Sequence, residues 1–327
     1  MNKQEKRILI GSGITAAMVA LAGSARQLAS DYWVRLALDR KAPPHPPGMA
    51  RRLVSGCMDE RMLQRIRQAG HTLAARPHET VRLVGQDGTM LVGHWFPVKS
   101  PRRVIVAMHG WRSSWDNDFG MVADFFRNND CSVLYAEQRG QGGSGGAYMG
   151  FGLTERYDCA DWVRWVNHRT GAALPVYLCG ISMGASTVLM TAGLALPRNV
   201  RGIIADCGYT SAVEIWKHVA KKAGVSYGIC GGPVGKMAKQ RLHMAMDSAS
   251  CADALSRAKI PVLLVHGSDD RFVPVEMTYA NYKACAGPKR LLIVPGAEHG
   301  MSYLVDRTGY ENAVRAFWTD FDGGEGD

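Results

Sequence analysis

Short apolar runs alternate with helix-length segments through most of this chain, and that alternation restricts the fold more than any other feature. Each of six runs ends in glycine or polar residues. Continuous apolar strands of this kind are buried on both faces, as in a parallel sheet covered by helices. The pattern therefore predicts a doubly wound α/β sheet. The runs are RRVIVAMHG, CSVLYAEQR, PVYLCGIS, VRGIIADCG, PVLLVHGSDD and KRLLIVPG.

Two further strands precede these six. The runs TVRLVG and MLVGHWFPV are joined by Asp87-Gly88, a dipeptide typical of a hairpin turn. The predicted sheet thus has eight strands and is mostly parallel. The longest departure from the alternation lies between Gly208 and Ile260, and we interpret residues 211–250 as a small helical cap.

A candidate nucleophile follows the strand PVYLC, in the sequence Gly-Ile-Ser-Met-Gly at positions 180–184. Between a strand and a helix-forming run, this motif predicts a strained turn that exposes Ser182 Oγ. A serine needs a base, and imidazole suits that role. Of ten histidines, His299 follows the last strand, which is the expected position of the base. We expect His109 and His266, also at strand ends, to make structural hydrogen bonds.

The base requires a carboxylate that orients its ring and stabilises the imidazolium. The segment HGSDDRFVP ends the strand before the last one and offers Asp270, which we prefer, and the adjacent Asp269. Asp206, at the end of the preceding strand, is a third candidate. We expect Asp206 to anchor its loop instead.

The developing oxyanion needs backbone donors aimed at it. The motif predicts that two backbone amides donate to the oxyanion. One is that of Met183, directly after the nucleophile, and the other is that of Trp111, after the third strand. The Trp111 ring is also expected to wall an acyl pocket. In the cap, Trp216 and Met244 are candidate substrate-pocket residues, with ordinary helix packing as the alternative.

The N-terminal part carries most of the positive charge. Through Arg67 there are 12 Lys and Arg against 5 Asp and Glu, whereas the whole chain has a net charge of +10. A basic cluster precedes the uncharged run at residues 8–25, which predicts a membrane anchor, a transmembrane helix or a cleavable signal. Residues 26–78 are interpreted as a linker and helix, and residues 79–327 as the catalytic domain.

This arrangement predicts a membrane-anchored enzyme whose catalytic domain lies outside the cytoplasm, with a secreted or a cytoplasmic enzyme as alternatives. The later chain does not interleave basic and aromatic residues as a nucleic-acid groove would, so no nucleic-acid partner is expected. The eight cysteines lack the spacing of metal ligands, so no metal or cofactor is expected. Disulfides between Cys230 and Cys251 or between Cys179 and Cys207 remain open.

Six motifs in order resemble the α/β-hydrolase superfamily: MHGW, EQRGQGGSGG, GISMGAS, ADCGYTS, HGSDDRFVP and GAEHG. The resemblance covers about residues 79–321. Within the superfamily, the sequence most resembles bacterial hydrolases of the serine aminopeptidase S33-like type that carry an N-terminal membrane segment. It implies the α/β-hydrolase fold. Glu137 stands where many relatives have aspartate, in a segment that looks structural. The residue roles that the resemblance implies are a Ser182, Asp270 and His299 triad with oxyanion amides at Trp111 and Met183.

The function expected from these features is a serine hydrolase that cleaves small-molecule carboxylic esters through an acyl-enzyme. Two alternatives remain. One is a peptidase or amidase of the S33 type, although the cap has no paired acidic cluster that would bind an amine. The other is a catalytically silent surface-binding module with the same fold, against which the presence of every triad element argues.

Overall fold

The computed structural model describes residues 23–24, 26–44, 60–224 and 226–323, without the side chains at positions 229 and 230. The strands are β1 (Glu79–Val84), β2 (Met90–Phe96), β3 (Arg103–Met108), β4 (Cys131–Glu137), β5 (Val176–Ile181), β6 (Val200–Asp206), β7 (Val262–Gly267) and β8 (Lys289–Val294). The helices are α1 (residues 26–38), α2 (Glu60–Ala74), α3 (Trp115–Phe119), α4 (Ala123–Asn128), α5 (Glu155–Thr170), α6 (Met183–Thr191), α7 (Ala212–Lys222), α8 (Tyr227–Leu242), α9 (Cys251–Arg257), α10 (Val275–Ala284), α11 (Ser302–Val305) and α12 (Arg307–Phe321).

The eight strands form one sheet in the order β1-β2-β4-β3-β5-β6-β7-β8. The β1–β2 and β2–β4 pairs are antiparallel, and the other five pairs are parallel. The predicted eight-stranded, mostly parallel sheet and its N-terminal hairpin are therefore confirmed. Because the carboxyl ends of β3, β5, β6, β7 and β8 meet at one edge, the loops that follow them lie together.

The apolar strands are buried because the sheet has a hydrophobic core on each face. Every residue of β3 is buried. Alternate side chains point to opposite faces of a strand, so Val104 and Val106 belong to one core whereas Ile105 and Ala107 belong to the other. Because both faces of these strands are buried, their sequences are continuous apolar runs.

Helix α1 packs on the core of the hydrolase domain, although the sequence analysis assigns residues 26–78 to a linker and helix outside it. Val34 and Leu38 are fully buried in the larger core. Just after the helix, Asp39 forms an isolated antiparallel bridge with Tyr148. Local sequence patterns do not indicate this packing, because the core residues that α1 contacts are distant in sequence.

The predicted membrane anchoring is contradicted by the structure. Among the described residues, no helix combines the length and the apolar composition that crossing a bilayer requires. Most of the predicted segment, residues 8–25, lies outside the described residues.

Neither disulfide left open by the sequence is formed. Cys179, Cys207 and Cys251 are buried free thiols. Burial raises the pKa of the Cys207 thiol well above its usual range.

A buried ion pair holds the loop that follows β4. The Arg139 guanidinium donates to both carboxylate oxygens of Asp158, at 2.6 and 2.5 Å, and also to Asp87 at 2.7 Å. The Asp158 side chain is 2% exposed. Removing one partner of such a pair leaves the other as a buried charge with reduced compensation.

We expect Asp158→Asn to lower the free energy of unfolding by about 3 kcal/mol, because Arg139 then keeps a buried charge without its bidentate partner. Urea denaturation measures the loss. Glu79→Gln is the matched control, since the Glu79–Arg169 pair is about half exposed on both sides and should contribute less than about 1 kcal/mol. Equal losses in the two variants would contradict this ranking.

Candidate active site

The turn between β5 and α6 holds Ser182 in a strained conformation. Its φ is 56° and its ψ is −115°, and a positive φ is costly for a residue with a Cβ. Both ends of the five-residue motif must be glycine. A Cβ at Gly184 would overlap the Met108 carbonyl, and one at Gly180 would overlap the backbone of Gly184. The motif therefore forms the tight turn expected from the sequence, and Ser182 lies at its apex.

His299 and Ser182 are brought together across the carboxyl edge of the sheet. His299 Nε2 lies 2.8 Å from Ser182 Oγ, and His299 Nδ1 lies 2.6 Å from Asp270 Oδ2. An ionised carboxylate only accepts hydrogen bonds, so Nδ1 carries the proton. In the neutral ring Nε2 is then free to accept from the Ser182 hydroxyl.

Asp270 accepts hydrogen bonds from several sides. The amides of Phe272 and Val273 donate to Oδ1 at 2.8 and 2.9 Å. Burial alone would raise the pKa of Asp270, but His299 and His266 hold it well below its usual range. The carboxylate beside His299 is thus kept ionised.

His266 contacts the same carboxylate, which the sequence analysis missed. Its Nε2 lies 3.1 Å from Asp270 Oδ2 and 2.9 Å from the Val273 carbonyl, both acceptors. Nε2 therefore carries the proton, and Nδ1 accepts from the Thr278 hydroxyl at 2.6 Å. The four-residue spacing from His266 to Asp270 was the available signal.

The two rival carboxyl groups make other hydrogen bonds. Asp269 accepts from the exposed Ser268 hydroxyl at 2.7 Å. Asp206 is 3% exposed and accepts from the Ser302 hydroxyl at 3.0 Å, while its carbonyl accepts from the Ser182 amide at 2.9 Å. Burial raises the pKa of Asp206 to about 6. Its contacts are those of the loop anchor that the sequence analysis expects.

The loop after β3 presents the Trp111 amide near the turn. The Gly110 amide is already bound, since it donates to Asp118 Oδ2 at 2.7 Å. Within the described part of the chain, the amides of Trp111 and Met183 have no acceptor among the protein groups. Both residues line a cavity together with Ser182. These two amides are therefore available to an oxyanion.

His109 makes the structural hydrogen bonds expected of it. Its Nε2 accepts from the Gln138 amide at 3.1 Å, which leaves Nδ1 to donate to the Gly110 carbonyl at 2.8 Å. The ring is 1% exposed. It links β4 to the loop that carries Trp111.

Two cavities meet at Ser182. The narrower one, of about 80 Å³, is walled mainly by aromatic and aliphatic side chains, and Trp216 of α7 is among them. Met244 is not among the residues that line it and packs against the larger core just after α8, so its role in a substrate pocket stays a prediction. The wider cavity, of about 520 Å³, has a mostly apolar lining but contains more polar groups than the narrow one, among them Asp118 and His299. His299 does not line the narrow cavity.

One cluster that includes His299, the partner of Ser182, has the residue types of a metal site. Ligand atoms of Cys207, Asp270 and His299 all lie within 4.8 Å of one another. A thiol binds metal as the thiolate, and the raised pKa of Cys207 keeps its sulfur protonated. The other two groups are hydrogen-bonded to each other, so these three residues do not fit a metal centre.

Comparison with known proteins agrees with this architecture. The esterase Pf2001 of Pyrococcus furiosus superimposes with a TM-score of 0.61 at 20% identity, over 85% of this chain and 100% of that one. The fold is that of the α/β hydrolases. A family model described as serine aminopeptidase, S33, matches residues 99–227. The family model and the fold together support the hydrolase class predicted from the sequence.

Two curated relatives align with about two thirds of this chain. The uncharacterized protein YqkD of Bacillus subtilis is 28% identical over 228 residues, which are 68% of this chain and 73% of that protein. The bifunctional esterase/perhydrolase DCH of Acinetobacter calcoaceticus is 25% identical over 248 residues, which are 63% of this chain and 88% of that protein.

The buried carboxyl of Asp206 should make stability depend on pH. Its pKa is about 6 in the folded protein against an ordinary 3.8, so between these values the folded state retains a proton that the unfolded chain has released. Stability therefore falls as the pH rises from about 4 to about 6. Asp206→Asn should remove this decline.

Urea denaturation across that pH window tests the expectation. Relative to the unchanged protein, the unfolding free energy of Asp206→Asn should rise by on the order of 1–3 kcal/mol from the acid to the neutral end. A difference that stays constant with pH would contradict it.

Proposed function

We propose that this chain is a serine hydrolase that cleaves carboxylic esters through an acyl-enzyme, with Ser182, His299 and Asp270 as its catalytic triad. The observation that carries the proposal is the continuous hydrogen-bond chain from Ser182 Oγ through His299 to Asp270. Hydrogen bonds of this kind link a nucleophile to its base and the base to a group that orients it.

In the proposed reaction, Ser182 Oγ attacks the ester carbonyl while His299 Nε2 takes the hydroxyl proton. Asp270 stabilises the imidazolium that forms and keeps its charge throughout. His299 then gives the proton to the departing alcohol. Water attacks the acyl-enzyme by the same route, which releases the acid and restores Ser182.

The amides of Met183 and Trp111 are the proposed donors to the oxyanion. Removing one such donor typically costs about 100- to 1000-fold in rate. Two observations support the assignment: neither amide is engaged by a protein acceptor in the described chain, and the loop of Trp111 is fixed by the contact between Gly110 and Asp118.

The two cavities are proposed to take opposite parts of the substrate. The leaving group must face His299, which protonates it, and His299 lines the wider, more polar cavity. The acyl chain then occupies the narrow apolar cavity beside Ser182, where Trp216 is a wall. An ester of an apolar acid with a more polar alcohol fits both sides.

Amide cleavage is the second candidate, because the matching family model is described as an aminopeptidase. An aminopeptidase needs a carboxylate that binds the substrate amine. Asp118 lines the wider cavity, but it already accepts hydrogen bonds from Gly110 and Ser113. This prior engagement favours esters.

Ser182→Ala should abolish both ester hydrolysis and labelling by a fluorophosphonate, because it removes the attacking oxygen. The circular dichroism spectrum should stay unchanged. The unchanged protein should hydrolyse p-nitrophenyl esters faster than an aminoacyl p-nitroanilide. Labelling that persists in Ser182→Ala would refute the nucleophile, faster anilide cleavage would favour the peptidase, and an unlabelled, inactive parent would favour a silent module.

Two adjacent carboxyl groups provide a matched test of the triad acid. Asp270→Asn should lower kcat by about 10⁴-fold, because an amide in that place favours the wrong tautomer of His299. Asp269→Asn, at the neighbouring exposed position, should stay within about twofold. Steady-state kinetics on a p-nitrophenyl ester measure both, and the opposite ranking would assign the acid to Asp269.

A further inference from the structure

Helix α1 forms part of the wall of the narrow cavity. Trp33, Leu36 and Ala37 line it on the side facing α7 and α8. Their spacing along the helix places them on one face, since residues three and four apart are neighbours on a helix surface. The cavity beside Ser182 is thus completed by a segment distant in sequence from the other lining residues.

The end of α1 is tied directly to the loop that carries the proposed oxyanion donor. The Trp111 indole N–H donates to the Ala37 carbonyl at 2.8 Å. The Arg112 guanidinium donates to the carbonyls of Leu36 and Asp39 at 2.8 and 2.7 Å. These carbonyls lie at the helix C-terminus, where they lack partners within the helix.

The cap also contacts α1. Arg241 of α8 donates to Asp39 at 2.9 Å and to Asp31 at 3.2 Å. The Arg241 side chain is 17% exposed, so both ion pairs are partly shielded from water. Together with the Trp111 and Arg112 contacts, they fix the helix between the cap and the oxyanion loop.

We propose that α1 is a specificity element of this enzyme, in which Trp33 and Ala37 set the length of acyl chain that the narrow cavity accepts. The inference rests on the proposed esterase function and on the assignment of the narrow cavity to the acyl group. Trp33 has the largest side chain of any residue type and Ala37 one of the smallest. Changing either alters the cavity without touching the triad.

Substitutions at Trp33 and Ala37 change the volume of the narrow cavity in opposite directions. Trp33→Ala opens the cavity, so it should raise the ratio of kcat/KM for p-nitrophenyl octanoate to that for the butyrate by at least about tenfold. Ala37→Leu fills it and should lower the ratio by a similar factor. The scale follows from about fourfold per buried methylene group. Leu28→Ala, at a position of the same helix that is 72% exposed, is the control and should keep the parent profile.

The outcomes separate this inference from the function on which it rests. A parent protein that cleaves no ester of the series refutes the proposed function. A parent that cleaves the series while both variants keep its chain-length profile refutes only the role of α1. Loss of all activity in Trp33→Ala and Ala37→Leu, with Leu28→Ala intact, would make α1 a purely structural helix and also overturn the proposal. Opposite shifts in the two variants support it, because misfolding cannot produce both.

Discussion

The close approach of three backbone segments around Ser182 is the constraint on which the rest of the site depends. Gly180 and Gly184 lie too near neighbouring backbone for any side chain, and between them Ser182 takes a positive φ. The strain is offset by the surrounding sheet, since the Ser182 amide is bound to the Asp206 carbonyl. Ser182, the proposed nucleophile, is therefore positioned by β3, β5 and β6 together.

A second network, of hydrogen bonds to Asp270, keeps the carboxylate beside His299 ionised. Asp270 receives hydrogen bonds from two histidines and two backbone amides. Each donor stabilises the ionised form, and together they outweigh the effect of burial. His266 and His299 share Oδ2, while the amides of Phe272 and Val273 bind Oδ1, so both carboxylate oxygens are held in place. Nearby Asp206 accepts from the Ser302 hydroxyl, and burial dominates its pKa.

Local patterns predicted the sheet, the turn and the residues at the strand ends, because each depends on neighbours in sequence. The same patterns favoured Asp270 over Asp269 as the triad acid, which stays a prediction; in the structure His299 contacts Asp270. The rest depends on packing between distant segments. The position of α1 was not predictable because its partners are far away in sequence, and Met244 could not be separated from Trp216 without knowing which side of the cap faces the cavity.

The distant partners of α1 impose an order on biosynthesis. The helix is translated before Trp111 and about 200 residues before Arg241, a delay of about 10–40 s at ordinary elongation rates. During that interval Asp31 and Asp39 lack the guanidinium that binds them in the folded protein. The cavity beside Ser182 can therefore be complete only after α7 and α8 have been synthesised, because both helices contribute lining residues.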